Sequence, residues 1–319
     1  LWSLTARRNF RFRIGFLLVI ALLTVLTGRA QDPPRMPGLP GGMDFSQMFD
    51  QMFGTPTEEQ QQALEKIEIS WEDEQRFGRE VADRFVAELR GKGVRVVSRG
   101  KEVEYLRALL ETVRPQMERA NRYRRLSVLY ADAPDTDARC FPGGTVLVFR
   151  GLLETVENEA ALVGVLGHEL SHIDHGHQLR WLRTFKLAQT SFTPGGGPVN
   201  MQDMMANTMM MTQMFARPFR PEDEAQADLD ATNWMYRAGY DPQELAKLFL
   251  RFEELAKQRG QMSLPFFRTH PYNRDRYEAV LKRFRELTEA EPRADLYVGV
   301  RNLWERVPRS KREFEERKR

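Results

Sequence analysis

Four of the five histidines of the chain, His168, His172, His175 and His177, fall within ten residues. Two of them frame the run His168-Glu169-Leu170-Ser171-His172. Positions four apart share one face of a helix, so His168 and His172 can direct two imidazoles at one ion. Glu169 sits one residue on, about 100° round the helix axis. From there its carboxylate can reach a metal-held water without being a ligand itself. This is the chemistry of a hydrolytic zinc centre with Glu169 as general base. The preceding stretch, Glu159 to Gly167, is apolar enough to bury such a helix, and Gly164 and Gly167 leave room for a neighbouring element to approach closely. His175 and His177 read as supporting or surface residues.

A hydrolytic zinc takes three protein ligands and keeps one position open. One known solution adds a glycine seven residues and a histidine ten residues after the first histidine, but those positions hold His175 and Gln178. The third ligand must come from elsewhere, and the best candidate is Glu224 in Glu224-Ala225-Gln226-Ala227-Asp228. On a helix Asp228 lies one turn beyond Glu224 on the same face, placed to accept the N–H of a ligating histidine. Such a bond fixes the imidazole tautomer and raises its basicity.

The elements that must position these groups are mostly helical. Ser70 is the expected N-cap of a helix stopping at Gly91, and a second helix runs near Glu102–Arg119. Leu126–Tyr130 and Thr145–Phe149 read as strands, with Pro142-Gly143-Gly144 as the turn before the second. Helical periodicity returns from Thr155 to Gly176 and dominates to Phe284. A predominantly helical α+β domain with one small sheet follows.

The 319 residues are 29% charged and 41% hydrophobic, an ordinary globular composition. The net charge of +3 is misleading, because residues 1–30 hold five arginines and no acid; without them 43 basic residues face 45 acidic ones, a net of −2. The body therefore lacks the positive field of a nucleic-acid binder, and nucleic acid is excluded as a partner. Cys140 is the one cysteine, which excludes an internal disulfide and a thiolate-rich metal site. Residues 1–30, with a basic start, an apolar run from Ile14 to Thr27 and small residues at Gly28 and Ala30, predict a secretory signal cleaved after Ala30. An uncleaved membrane anchor is the alternative. The expected location is periplasmic, free or membrane-associated. Residues 31–57, rich in Pro, Gly, Met and Gln, predict a linker. Residues 58–285 then form the catalytic domain, and 286–319 a charged, solvated C-terminal tail.

With these motifs in order, the chain resembles family forty-eight of the metallopeptidases, the gluzincin group that includes the HtpX and BepA proteases of bacterial envelopes, the mitochondrial Oma protease and the CAAX prenyl proteases. The resemblance spans roughly Ser70–Arg283. It is carried by Phe141-Pro142-Gly143-Gly144 and the strand after it, Asn158-Glu159-Ala160, His168 to His172 with His177, Glu224 with Ala227-Asp228, and Thr269-His270-Pro271 with Arg276. One departure is that Pro221 stands where relatives carry an arginine, with Arg220 one residue earlier. The resemblance implies a zincin-type (minigluzincin) core with the small sheet packed on the active-site helix. It implies that His168, His172 and Glu224 bind one Zn2+, that Glu169 is the general base and that Asp228 and His177 support the ligands. It also implies that His270 and Arg276 line the site and hold the oxyanion.

The resulting expectation is a zinc endopeptidase of the cell envelope acting on unfolded or misassembled polypeptides, outer-membrane proteins among them. Substrate is expected to add as a strand along the sheet edge, with Phe149 bordering the cleft. A catalytically weak envelope chaperone on the same fold is the rival. Seven of the 14 methionines lie in Met201–Met214. That segment reads as an adaptable core or lid helix, as an interfacial helix touching membrane or client, or as a Cu(I) site.

Overall fold

The computed structural model describes residues 62, 64–180, 182–183, 186, 219–259, 266, 269–270 and 274–315. The secretory signal, the linker and the methionine-rich segment Met201–Met214 all lie outside the described residues. The chain divides at Lys66 into two units. In the first, residues 62 and 64–66 are helical or turn. Everything below concerns the second, Ile67–Arg319.

In chain order the elements are α1 (Trp71–Gly91), β1 (Val96–Val97), α2 (Lys101–Val113), β2 (Ser127–Ala131), β3 (Ala138–Phe141), β4 (Thr145–Phe149), α3 (Arg150–Thr155), α4 (Glu159–His175), α5 (Pro221–Arg237), α6 (Gln243–Arg259), α7 (Arg274–Ala290) and α8 (Val300–Glu305). The α+β, mainly helical expectation holds. Ser70 caps α1 by accepting from the Asp73 amide at 3.1 Å. The second helix stops at Val113, short of Arg119, because Pro115 cannot continue it and Arg114–Gln116 tighten into a 3₁₀ turn.

The sheet has the order β1-β2-β4-β3, with β2 and β4 parallel and the other pairs antiparallel. Both faces are covered, and the alternation of β4 shows how. Val146 and Val148 enter the main core with α2 and α4, while Leu147 and Phe149 join a second cluster with Phe77, Val81 and Val86 of α1. This corrects the expectation for Phe149. Its strand is central, paired on both sides, and its ring lies beneath α1 and 3% exposed, so it borders no sheet edge. Its neighbour β3 is one edge strand, and β1 forms the opposite edge.

The β3–β4 hairpin is supported from α1. Gly78 faces the Pro142 carbonyl so closely that a Cβ there would stand 1.7 Å from the oxygen. Glu74 Oε1 accepts from the Gly143 amide at 3.1 Å and the Tyr123 hydroxyl at 2.6 Å, while Oε2 accepts from Arg122 at 2.6 Å.

The solvated tail is also corrected. Tyr297 bridges to Tyr240, and Tyr297, Leu303 and Phe314 are buried. The amides of Glu159 and Ala160, which open α4, donate to the Gly299 and Val298 carbonyls at 3.1 and 2.9 Å. The buried Glu159 carboxylate takes the Tyr105 and Tyr240 hydroxyls and the Arg309 amide at 2.7–2.9 Å. The dense charge of this segment hides a few apolar anchors with no helical period.

Candidate metal centre

The helix α4 carries the first two histidines and is buried from Glu159 to Asp174. A helix apolar on all sides belongs inside a core. Asn158 caps its start, accepting from the Ala161 amide at 2.8 Å, and Gly176 ends it with φ 64°, a left-handed turn suited to glycine. Gly164 lets α5 and α6 come close: a Cβ there would meet Met235 and Leu245 at 3.0 Å. That approach brings Glu224 and Asp228 of α5 beside the histidines. Proline at the first position of α5 starts the helix cleanly, and Arg220 before it donates to Asp223 at 3.0 Å, so the departure at Pro221 is accommodated.

One donor atom from each of His168, His172, Glu224 and His270 lies within 4.8 Å of all the others, and all four residues are buried. The two Nε2 atoms are 3.0 Å apart. Glu224 stands 3.5 Å from His168 Nε2 and 3.4 Å from His172 Nε2. His270 Nδ1 is 3.1 Å from His168 Nε2 and 3.0 Å from Glu224 Oε1. A tetrahedral ion with bonds of 2.0–2.1 Å would space its donors about 3.3 Å apart. The donor set therefore fits zinc in type and in separation.

The far sides of the imidazoles fix their tautomers. His168 Nδ1 donates to Asp228 Oδ1 at 2.9 Å, which turns the lone pair of Nε2 toward the cluster. His172 Nδ1 bonds to His177 Nδ1 at 2.8 Å. Burial, with His168 and His270 nearby, holds His172 down to about 4, and burial beside His172 holds His177 down to about 3. Both are neutral near pH 7, as ligation requires. For His270, burial is outweighed by the carboxylates of Glu224 and Glu169, which raise it. Burial would raise Glu224 also, but His270 and His168 hold it well below the usual carboxylate range. Phe219 stacks on the His172 ring at 3.8 Å and Phe266 on the His270 ring at 4.5 Å. The Phe219 amide donates to the Thr269 carbonyl at 2.9 Å, joining the two segments.

Glu169 is buried beside this cluster with neither oxygen in a hydrogen bond; His270 Nε2 lies 3.3 Å from Oε1. The carboxylate thus faces the donor cluster with His270 as its near neighbour, within reach of a group held between the donors. Arg276 is placed differently from the implied oxyanion role. Its Nε and Nη2 donate to Asp228 at 2.7 and 2.8 Å, and Nη1 pairs with Glu224 at 2.5 Å. The guanidinium orients the two acids.

Residues 101–284, more than half of the chain, match the model of peptidase family M48. The chain belongs to peptidase family M48. Family M48 enzymes are zinc metallopeptidases, in agreement with the donor set. Among its M48 relatives, the mitochondrial metalloendopeptidase OMA1 of Arabidopsis thaliana is 30% identical over 156 residues, 47% of this chain and 30% of that protein. OMA1 of Schizosaccharomyces pombe is 26% identical over 163 residues, 51% of this chain and 46% of that one. The beta-barrel assembly-enhancing protease of Escherichia coli K12 is 27% identical over 154 residues, 43% and 30% respectively. The chain thus spans less than half the length of these relatives.

Four residues near the M48 site were not singled out by the sequence. Phe219 and Phe266 carry no motif. Asp137, just before β3, and Cys140 within it stand near the cluster: burial raises Asp137, with His270 and Glu169 close enough to act on it, and burial and Glu169 push the Cys140 thiol well up. Their signal is the pairing of β3 with β4, which spacing alone does not reveal.

Proposed function

We propose that the chain is a zinc-dependent endopeptidase with a zincin-type core, in which His168, His172 and Glu224 hold the metal and Glu169 is the general base. The observation that carries this reading is the convergence of those three side chains from α4 and α5, with the unbonded Glu169 carboxylate beside them. Zinc, when bound, supplies Lewis acidity and an acidified water. Glu169 takes a proton from the attacking water at a carboxylate oxygen and returns it to the leaving amine. Asp228 and His177 hold the ligand imidazoles in the required tautomer, and Arg276 keeps Asp228 ionised and orients both Glu224 and Asp228. Four donors close a tetrahedron and hydrolysis needs one position open. With His168, His172 and Glu224 holding the ion, His270 would stand beside the reacting carbonyl, its ring 3.3 Å from Glu169 and placed to face the developing oxyanion.

The substrate lies extended along the outer edge of β3, so recognition depends on backbone more than side chains and suits unfolded or misassembled polypeptides. An exported, periplasmic setting is the reading of the basic and apolar start of the chain. No described helix is long and apolar enough to cross a membrane. Outer-membrane proteins are the proposed clients.

Zinc quantification alongside casein digestion tests this. Wild-type protein should hold about one zinc per chain and cleave casein in a chelator-sensitive way. Glu169→Gln should keep the metal and lose cleavage. Cleavage by the metal-replete variant would remove Glu169 from its role, and zinc without any cleavage in the wild type would favour a chaperone.

A further inference from the structure

Antiparallel pairs alternate between bonded and non-bonded residues, so one strand face of β3 points its amides at β4 and the other points them outward. Phe149 N donates to the Asp137 carbonyl and Gly144 N to the Phe141 carbonyl. Asp137, Arg139 and Phe141 therefore face β4, while Ala138 and Cys140, both buried, turn their N–H and C=O to the outer edge. Among the described residues no strand pairs with that edge. The Cys140 carbonyl is nevertheless taken. Gln178, in the turn just beyond α4, donates from Nε2 to Cys140 O at 2.6 Å and also lies 3.2 Å from Cys140 Sγ.

We propose that Gln178 is a specificity-determining residue: its side-chain amide occupies the Cys140 carbonyl and so limits how much of an extended peptide can pair with β3. The inference rests on the protease reading above. A primary amide has the donor and acceptor of a peptide group, and here it stands where a substrate N–H would donate. It is only half satisfied, because Gln178 Oε1 is buried with no partner. A buried acceptor left unpaired costs free energy, so the contact is one that a competing backbone can displace. Burial of that oxygen also argues that Gln178 yields to the peptide and does not carry it, since an acceptor waiting for substrate would face open space. The strand β3 packs against α4, the helix that carries Glu169, which sets the reacting carboxylate on the element beside this stretch of edge. A peptide that pairs only with Ala138 avoids the Cys140 carbonyl, whereas a longer one that runs across both outward-turned residues must displace Gln178.

The test uses zinc-loaded full chain carrying Glu169→Gln, so that peptides bind without being cut. Fluorescein-labelled casein peptides of nested length are titrated by anisotropy, with and without Gln178→Ala. Long peptides should bind roughly two- to tenfold tighter in the Gln178→Ala protein, the gain of one backbone hydrogen bond, and short ones equally in both. Gln178→Glu, which cannot donate to a carbonyl, should show the same length dependence and guards against a purely steric effect of alanine. An unchanged affinity for long peptides, an equal change at every length, or weaker binding of long peptides overturns the inference. Casein cleavage by the wild type separates the failures. Cleavage without a length effect removes the inference alone, while absence of both cleavage and peptide binding removes the protease reading and the inference with it.

Discussion

Arg276 grips Asp228 through two parallel bonds, Nε to Oδ2 at 2.7 Å and Nη2 to Oδ1 at 2.8 Å. This fork places a guanidinium against the acid that orients His168, and the same side chain pairs with Glu224. All three are buried. Removing one partner of a buried charge set leaves the others uncompensated. Arg276→Met should therefore destabilise the metal-free protein by about 3–5 kcal/mol. Urea unfolding measures this, and added zinc should restore part of the loss, since the ion neutralises the same carboxylates.

The bond from His168 Nδ1 to Asp228 bears on metal affinity directly. An Asp228→Asn side chain accepts less strongly and can present its amide nitrogen. Zinc binding should weaken by roughly 10- to 100-fold, read by competition with a chromophoric chelator. Unchanged affinity would show that Asp228 contributes nothing to the ligand.

Asp230 links Ser171 and His175, accepting from Ser171 Oγ at 2.7 Å and bonding His175 Nε2 at 2.8 Å. The bond to Asp230 raises His175 above its ordinary value despite burial. For Asp230, burial is overcome by His175 and Ser171, which hold the carboxyl low. A raised histidine stabilises fully below its unfolded value and loses that contribution as pH rises through its folded value; a lowered carboxyl contributes above its unfolded value and loses it in acid. The difference in stability between wild type and His175→Gln should therefore be largest near about pH 5–6 and shrink as pH climbs past about 7. Thermal unfolding across that range checks it, and a difference that grows with pH would refute it.

Gly78 meets the Pro142 carbonyl with no space for a methyl group. Gly78→Ala must push α1 away from the hairpin, at a cost of roughly 1–3 kcal/mol or more. Because the obstacle is backbone, the upper end is expected, and chemical denaturation measures it.

What could be read from the residues follows the reach of each signal. His168, His172, Glu224 and Asp228 were legible because four-residue spacing on a helix is a local pattern, and Ser70 and Gly176 mark helix ends in the same local way. His270 lies 102 residues from its neighbour His168 and entered only through resemblance to a family. Arg276 entered by the same route, and its implied task shifted from the oxyanion to the ligands' supports. The edge strand Ala138–Phe141 was hidden because four residues of mixed polarity, Arg139 among them, make no alternating pattern; its register exists only in the pairing with β4. Without that strand neither the outer edge nor Gln178 could be recognised. The segment beyond Ala290 misled for the opposite reason: its charges are abundant and local, while Tyr297, Leu303 and Phe314 find partners far away in sequence.

The carboxylate of Glu74 has a wider meaning. It joins α1 to the loop around Arg122 and Tyr123 and to Gly143 at the hairpin tip, yet it precedes the family-matched residues 101–284. The Tyr123 hydroxyl also lies 3.1 Å from the Ile173 carbonyl of α4, so this one carboxylate braces the donor-bearing helix and the hairpin together. A change on the inner face of that leading helix is therefore felt at both places, and the family-matched residues depend for their spacing on a segment that precedes them.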